Sequence, residues 1–448
     1  MNTNSPGYGI TIRVEGSPER QPVAQATNAI AEAGATITAL DVVESNLDCV
    51  VVDITCDTMD ADHAKNIADR IEKVPGLSVR KVSDRTFLIH IGGKIEVTSK
   101  VPLKTRDDLS RAYTPGVARI SKAIAEDPSD ARRLTIKRNT VAVVTDGSAV
   151  LGLGNIGPAA ALPVMEGKAA LFKRFADVDA WPVCIDSQDV DEIVRTVQLI
   201  SPVYGGINLE DISAPRCFEV EKRLRDLLDI PVFHDDQHGT AIVVLAALRS
   251  ALKLVGKNLS DVKIVISGAG AAGTAIAKLL TFSGAKNILA FHRTGIAQIE
   301  GVDNKGFSGN VHEALNGADV FIGVSVANII TEEDIKSMAI NSIVFALANP
   351  DPEIDPNIAR KYAAVVATGR SDQPNQINNV LAFPGIFRGL LDANAHKITD
   401  KLLVAAAVAI ADCVTPQQLN ANFIVPSVFD PNVSKYVAEA VRNASRQP

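Results

Sequence analysis

The stretch Val262-Lys-Ile-Val-Ile-Ser267 runs straight into Gly268-Ala269-Gly270-Ala271-Ala272-Gly273, and a helix-forming segment follows through Leu280. Such a junction commits the chain to a strand that ends in a glycine turn and restarts as a helix. Only small side chains line the turn, so a pyrophosphate can approach the backbone and the helix N-terminus. Apolar runs at residues 287–291, 320–324 and 343–347 repeat at helical separations. That pattern predicts a doubly wound, Rossmann-type α/β domain, with residues 268–273 as its cofactor loop. An acidic residue for the adenosine ribose is expected about 20 residues further on. Here the strand end reads Leu289-Ala-Phe-His-Arg-Thr294, with His292 in the acidic place and Arg293 beside it. Nothing there repels a 2′-phosphate and Arg293 can pair with one, which tilts the expectation toward NADP and leaves NAD open.

A second glycine run, Gly152-Leu-Gly-Asn-Ile-Gly157, has the same spacing. Asp146-Gly-Ser-Ala-Val-Leu separates it from its strand, and Pro158 follows at once. It reads as a substrate-side loop or as tight backbone packing.

Upstream of the cofactor loop, Asn208-Leu-Glu-Asp-Ile212 and Pro231-Val-Phe-His-Asp-Asp-Gln-His-Gly-Thr240 each place an acidic pair after a short apolar run. Glu210, Asp211, Asp235 and Asp236 crowded at one sheet edge would repel each other without a cation. Oxygen donors of this kind suit Mg²⁺ or Mn²⁺. A metal site ahead of a dinucleotide site points to metal-assisted redox chemistry. Plainer roles stay open for the same residues. Asp235 and Asp236 can cap a long helix expected over 239–255, and Lys168 can be an exposed helical lysine. Tyr113 can anchor the Thr-Pro-Gly turn that follows it, and the Asn-Pro-Asp-Pro run from Asn349 can be a turn and nothing more. His234 and His238 stand four apart, a zinc spacing on a helix, yet Gly239 and the preceding strand argue for a loop there.

Residues 1–86 form a separate pattern, β-α-β-β-α-β, with strands at 8–14, 35–43, 48–56 and 77–85 and helices at 18–33 and 61–73. This is a ferredoxin-like split unit. Its length and order resemble an ACT domain, a regulatory module that commonly binds amino acids at a dimer interface. The Pro-Gly step frequent after the first strand of such modules is missing from Glu15-Gly-Ser-Pro-Glu-Arg20. An effector site and a purely structural or dimerising appendage are both open. Residues 87–237 alternate helices and strands as a second α/β domain, and 238–448 make the dinucleotide domain.

Several classes are excluded by composition. With 448 residues and 46% hydrophobic content the chain can bury sizeable cores. A net charge of -7 without a basic run argues against nucleic acid. The five cysteines form no CxxC pair, so a reducing compartment is expected and a zinc ribbon is not. The N-terminus lacks a signal-peptide pattern, and the apolar run at 402–414 is too short to span a bilayer. A cytoplasmic protein, not bound to membrane, is the expectation.

Taken in order, Tyr113-Thr-Pro-Gly-Val117, Thr145-Asp-Gly-Ser-Ala-Val-Leu-Gly-Leu-Gly-Asn-Ile-Gly157 and Glu166-Gly-Lys-Ala-Ala-Leu-Phe-Lys173 precede the two acidic motifs. Ala348-Asn-Pro-Asp-Pro352, Pro374-Asn-Gln-Ile-Asn-Asn379 and Phe383-Pro-Gly385 follow them. As an ensemble, over about residues 95–440, the chain resembles a malic enzyme of the small bacterial type. The resemblance implies oxidation of (S)-malate with NAD or NADP and decarboxylation to pyruvate and CO₂, with oxaloacetate decarboxylation as a related activity. It implies Glu210, Asp211 and Asp236 as ligands of Mg²⁺ or Mn²⁺, with Asp235 as their neighbour. Lys168 would be the general base and Tyr113 the general acid. Asn349 and Asn379 would contact substrate and nicotinamide. A homo-oligomer, at least a dimer, is implied as well. Larger eukaryotic-type members carry Glu-Arg where this chain has Ser148-Ala149, so the residue that anchors the malate carboxylate is left open. Beside a cation the lysine is expected to lose its proton easily. Two rivals stand against this reading: an amino-acid dehydrogenase, which needs no three-carboxylate site, and a catalytically silent metabolite sensor.

Overall fold

The computed structural model describes residues 4–150, 152–304 and 306–446. Residues 1–3 and Leu151 of the motif at 145–157 lie outside the described residues. The chain divides into two compact units, residues 1–96 and 97–448.

In the first unit, β1 (Ser5–Gly16), β2 (Thr36–Ser45), β3 (Val50–Thr58) and β4 (Leu77–Asp84) form an antiparallel sheet in the order β2-β3-β1-β4. Alternate residues Ile10, Ile12 and Val14 of β1 and Val52, Ile54 and Cys56 of β3 point into one core. Ala26 and Ile30 of the helix Pro22–Glu32, and Ile67 and Ile71 of the helix Ala61–Glu72, complete it. The helix expected from residue 18 starts later. Pro18–Arg20 is a 3₁₀ turn, and Gln21 takes left-handed backbone with φ 48° before Pro22 opens the helix. Proline keeps the residue before it out of the helical region, which explains the break. The unit continues past β4 into the helix Arg85–His90, which Asp84 caps and Thr86 ties to the Gly7 carbonyl at 2.8 Å.

The second unit holds two sheets. In the first, β5 (Thr140–Thr145), β6 (Asp179–Cys184), β7 (Gly206–Leu209) and β8 (Val232–His234) run parallel in the order β6-β5-β7-β8. Period-two alternation divides β5 between two cores. Val141 and Val143 pack with Met165 and Phe172 of the helix Pro158–Ala176. Ala142 and Val144 pack with Val194 and Val197 of the helix Val190–Ile200 and Val220 of the helix Arg216–Leu227. A sheet covered on both faces explains why these strands are apolar throughout.

The helix Thr240–Val255 carries the chain to the second sheet and is buried along nearly its whole length. The span Asp235–Val255 is long and apolar enough to cross a membrane, but 67% of its apolar window is buried in the protein, as a core helix would be. The second sheet contains β9 (Ile264–Ser267), β10 (Ile288–His292), β11 (Gly295–Ile296), β12 (Val320–Gly323), β13 (Ile343–Ala346) and β14 (Val365–Thr368). Their order is β11-β10-β9-β12-β13-β14, parallel except where β11 turns back on β10. Because β10 and β12 both flank β9, the strand order reverses there, and ligands bind past the carboxyl ends at such a point. The helix Phe383–Ala393 then returns to the first sheet, where Phe387 meets Phe172 and Phe233 at ring separations of 5.3 and 5.8 Å.

Candidate active site

Parallel strands in register end together, so the residues after β5, β7 and β8 converge. Val144 pairs with Leu209, and Leu209 with His234. Asp146, Glu210–Asp211 and Asp235–Asp236 therefore stand along one edge. Ligand oxygens of Glu210, Asp211 and Asp236 lie within 4.8 Å of one another. Asp211 holds φ 54°, a left-handed conformation uncommon outside glycine. Its amide donates to Asp236 Oδ2 at 2.9 Å, and its carbonyl accepts from the Ala149 amide at 3.0 Å. Those two bonds hold a strained residue in place. Burial, then the Asp236 charge, pushes the Asp211 carboxyl up to about 7, and burial likewise raises Glu210 well above its ordinary value. Asp211 Oδ2 is buried without a hydrogen-bond partner. Three converging carboxylates, raised pKa values and an orphaned buried oxygen fit a divalent cation with oxygen ligands.

Lys168 enters from the helix Pro158–Ala176. Pro158 starts that helix at a position where its missing N–H costs nothing. Ala161, Met165, Ala169 and Phe172 bury one face, and Lys168, three residues after Met165, is carried inward with them. Its Nζ donates to Asp235 Oδ2 at 2.6 Å, lies 3.0 Å from Glu210 Oε1 and sits 4.2 Å from the centre of the Phe383 ring. Burial alone would lower its pKa, but Asp235 and Glu210 outweigh that and hold the ammonium above the ordinary lysine value.

A π turn, Asp235–Gly239, stands where a loop was expected and leads straight into the long helix, which begins at Thr240. Glu221 holds this turn from behind. It accepts from Gln237 Nε2 at 3.2 Å and pairs with His238 Nε2 at 2.6 Å. Burial would raise Glu221, but His238 and its other cationic neighbours keep it below its usual value. His238 is committed to Glu221 and His234 is fully buried, so their zinc spacing yields no metal cluster among the described residues. Gly239 lies against the Asp235 carboxylate so closely that any Cβ would overlap it. Asn379 reaches the same aspartate, donating to Asp235 Oδ2 at 3.0 Å while Thr240 Oγ1 donates to its Oδ1 at 3.2 Å.

At the end of β9 the glycine turn follows directly, and the helix Ala271–Phe282 begins inside it. A Cβ on Gly273 would collide with the Gly268 carbonyl, so only glycine lets the helix pack this tightly on the turn. Ser325, just past β12, bonds Ser267 at 3.0 Å, and the buried Glu353 accepts from the Ser325 amide at 2.8 Å. His292 and Arg293 are exposed at the end of β10.

This geometry agrees with the comparisons to known proteins. Residues 92–225 match the model of the malic enzyme N-terminal domain, and 237–319 with 297–446 match that of the malic enzyme NAD binding domain. The chain is 54% identical to the NAD-dependent malic enzyme of Geobacillus stearothermophilus, over 97% of this chain and 94% of that one. The chain belongs to the malic enzyme family. It is 45% identical to an NADP-dependent malic enzyme of Rhizobium meliloti over 79% of its length, which spans 50% of that relative. The crystal structure of the NAD-dependent malic enzyme from Thermotoga maritima superposes with a TM-score of 0.77 at 48% identity, covering 80% of this chain and 99% of that one.

Of the residues the family resemblance singled out, Lys168, Glu210, Asp211, Asp235, Asp236 and Asn379 meet at one sheet edge. Tyr113 does not join them. It caps the helix Arg106–Ala112, is 66% exposed and makes no side-chain hydrogen bond to the cluster. Asn349 is exposed, with its carbonyl 3.0 Å from where a Cβ of Gly152 would lie. Gly152 of the first glycine run thus packs beside Asn349. Arg216 and Asp146 escaped the sequence. Arg216 Nη2 bonds Asp146 Oδ2 at 3.0 Å, while its Nε is buried without a partner. Asp146 also accepts from the Ser148 amide at 2.9 Å, and Ser148 Oγ in turn accepts from the Ser213 amide at 2.9 Å. No spacing signal links residues 146 and 216; only the parallel register brings them together.

Proposed function

We propose that this chain oxidises (S)-malate with a nicotinamide dinucleotide and decarboxylates the product to pyruvate and CO₂, with oxaloacetate decarboxylation as a side activity. The single observation that carries this is Lys168 Nζ, 2.6 Å from Asp235 and 3.0 Å from Glu210, buried beside three convergent carboxylates. When bound to Glu210, Asp211 and Asp236, Mg²⁺ or Mn²⁺ supplies a Lewis acid for the substrate oxygens and offsets the negative charge that keeps Lys168 protonated. Lys168 then accepts the hydroxyl proton as hydride leaves for the nicotinamide. Asp235 fixes the lysine through a buried charge-assisted bond and Asn379 fixes Asp235. Phe383 keeps water from the amine. Tyr113 returns a proton to carbon after CO₂ has gone. Arg216 takes the anchoring role that Ala149 cannot fill, since its Nε faces inward without a partner.

The coenzyme is NAD or NADP. Arg293 offers charge to a 2′-phosphate and no acid stands at His292, while family members carry both preferences in their names. The catalytic half ends near residue 237 and the dinucleotide half begins at 238. The first unit is read as a ferredoxin-like ACT-type module, supported by its β2-β3-β1-β4 order, with an effector site and a structural or dimerising role both open to it. A cytoplasmic homo-oligomer completes the reading. Exposed Leu109, Val117 and Ile120 beside Tyr113 support assembly. The test is metal-dependent reduction of coenzyme with equimolar pyruvate; folded protein that binds nucleotide but never reduces it would favour the silent sensor. Turnover that survives chelator would favour an amino-acid dehydrogenase.

A further inference from the structure

The strand edge opposite the carboxylates carries its own concentration of charge. A cavity of about 590 Å³ opens where β5, β7 and β8 begin, a volume ample for a small-molecule ligand. Arg132, Arg133, Lys137 and Arg138 line it, against the single carboxylate of Asp229. Arg133 is already paired with Asp130, and Asp229 is turned to His396 at 2.8 Å and is almost wholly exposed. Arg132 and Lys137 are about half-buried, and neither has a carboxylate within ion-pair distance among the described residues. Neutral oxygens hold both. Arg132 donates to Asn394 Oδ1 and to the Gly205 carbonyl, and Lys137 to the carbonyls of Ser201 and Pro202 at 3.3 and 3.1 Å. Burial, only partly offset by the charge of Asp229, pulls both cations below their ordinary values. Partly buried charge that the fold neither pairs nor releases to solvent is costly unless something binds it.

We propose that this cavity is a binding site for a small multivalent oxyanion, a di- or tricarboxylate or a phosphorylated metabolite, held by Arg132, Lys137 and Arg138. The site is separate from catalysis. The six residues of β5 lie between it and Asp146, about 20 Å of extended chain. It is nevertheless connected to the catalytic lysine. Leu391 and Asn394, at the end of the helix Phe383–Ala393, line the cavity, while Phe383 at its start lies 4.2 Å from Lys168 Nζ. An anion drawing Arg132 off Asn394 releases the end of that helix, so the occupant acts as an effector of turnover.

Calorimetric titration of the full chain at low ionic strength, with pyrophosphate and separately with tricarballylate, tests this and distinguishes the two sources of oxyanion. Binding by at least one probe is expected, weakened about tenfold or more in Arg132→Ala/Lys137→Ala and in Arg138→Glu. Arg138 is exposed, so its variant changes the cavity's charge without a packing defect. Binding of NADH, followed by its fluorescence, should be unchanged in both variants. In the wild type the bound probe should shift the KM for malate or kcat, and in the variants it should not. Binding of neither probe, or equal binding by wild type and both variants, would overturn the site. Binding without any kinetic shift would overturn its role as an effector site.

Discussion

Lys168 and Tyr113 are the proton-handling pair of the proposed reaction, and the molecule treats them in opposite ways. Lys168 rises from a core helix, and its side chain keeps 11% of its surface, enclosed by Asp235, Glu210 and Phe383. Tyr113 stands on a stretch, Arg106–Ala112 followed by Gly116–Glu126, in which neither helix buries a residue. One chain's packing fully determines the first group and leaves the second to be covered by substrate, by movement of its segment or by a second copy. In the proposed reaction, folding encloses the base end and leaves the acid end exposed.

The largest effect should come from the enclosed side. Lys168→Ala and Asp236→Ala should each lower kcat by about 10³-fold or more, about 4 kcal/mol of barrier, with unchanged circular dichroism. A variant that kept full rate would remove its residue from the machinery. Tyr113→Phe should cost about 10²-fold or more in kcat, yet leave the melting temperature where it was, because the residue is 66% exposed. A large fall in Tm for Tyr113→Phe would break the comparison, since the residue would then be part of the folded core. Gly239→Ala should by contrast lower stability, by about 1–3 kcal/mol in thermal melts, as the new methyl displaces Asp235.

Smaller effects sharpen the contrast further. His292→Asp should move the kcat/KM ratio about tenfold toward NAD; an unchanged ratio would remove that position from coenzyme choice. Glu221 is held below its usual carboxyl value by His238 despite burial, so the folded state binds its proton less readily than the unfolded chain. Its contribution is therefore present above about pH 4.5 and is lost as pH falls through the depressed folded value. The melting difference between wild type and Glu221→Gln should hold from pH 7 to about pH 4.5 and shrink below that. A difference that grew instead would mean that Glu221 is protonated in the fold.

What the sequence revealed and what it hid follow the same division between local and long-range order. The turn at Gly268–Gly273, the acidic pairs and the buried strands were legible because each is a local pattern of period or spacing. The break at Gln21 also had a local cause in Pro22, visible only once the proline's effect on its neighbour is weighed against helical spacing. The support of Asp235 by Asn379, of the π turn by Glu221 and of Asp146 by Arg216 joins residues 144, 16 and 70 positions apart. No periodicity encodes those pairs; strand register and helix packing do. The basic cavity was hidden for the same reason, since Arg132, Asp229 and Asn394 meet only after three strands align.

The most direct test of the central claim is absorbance at 340 nm with malate and Mn²⁺, comparing NAD with NADP, with and without EDTA. The account predicts coenzyme reduction that EDTA abolishes, with pyruvate formed in equal amount. Reduction that persists in EDTA, or no reduction with either coenzyme in folded, nucleotide-binding protein, would contradict it.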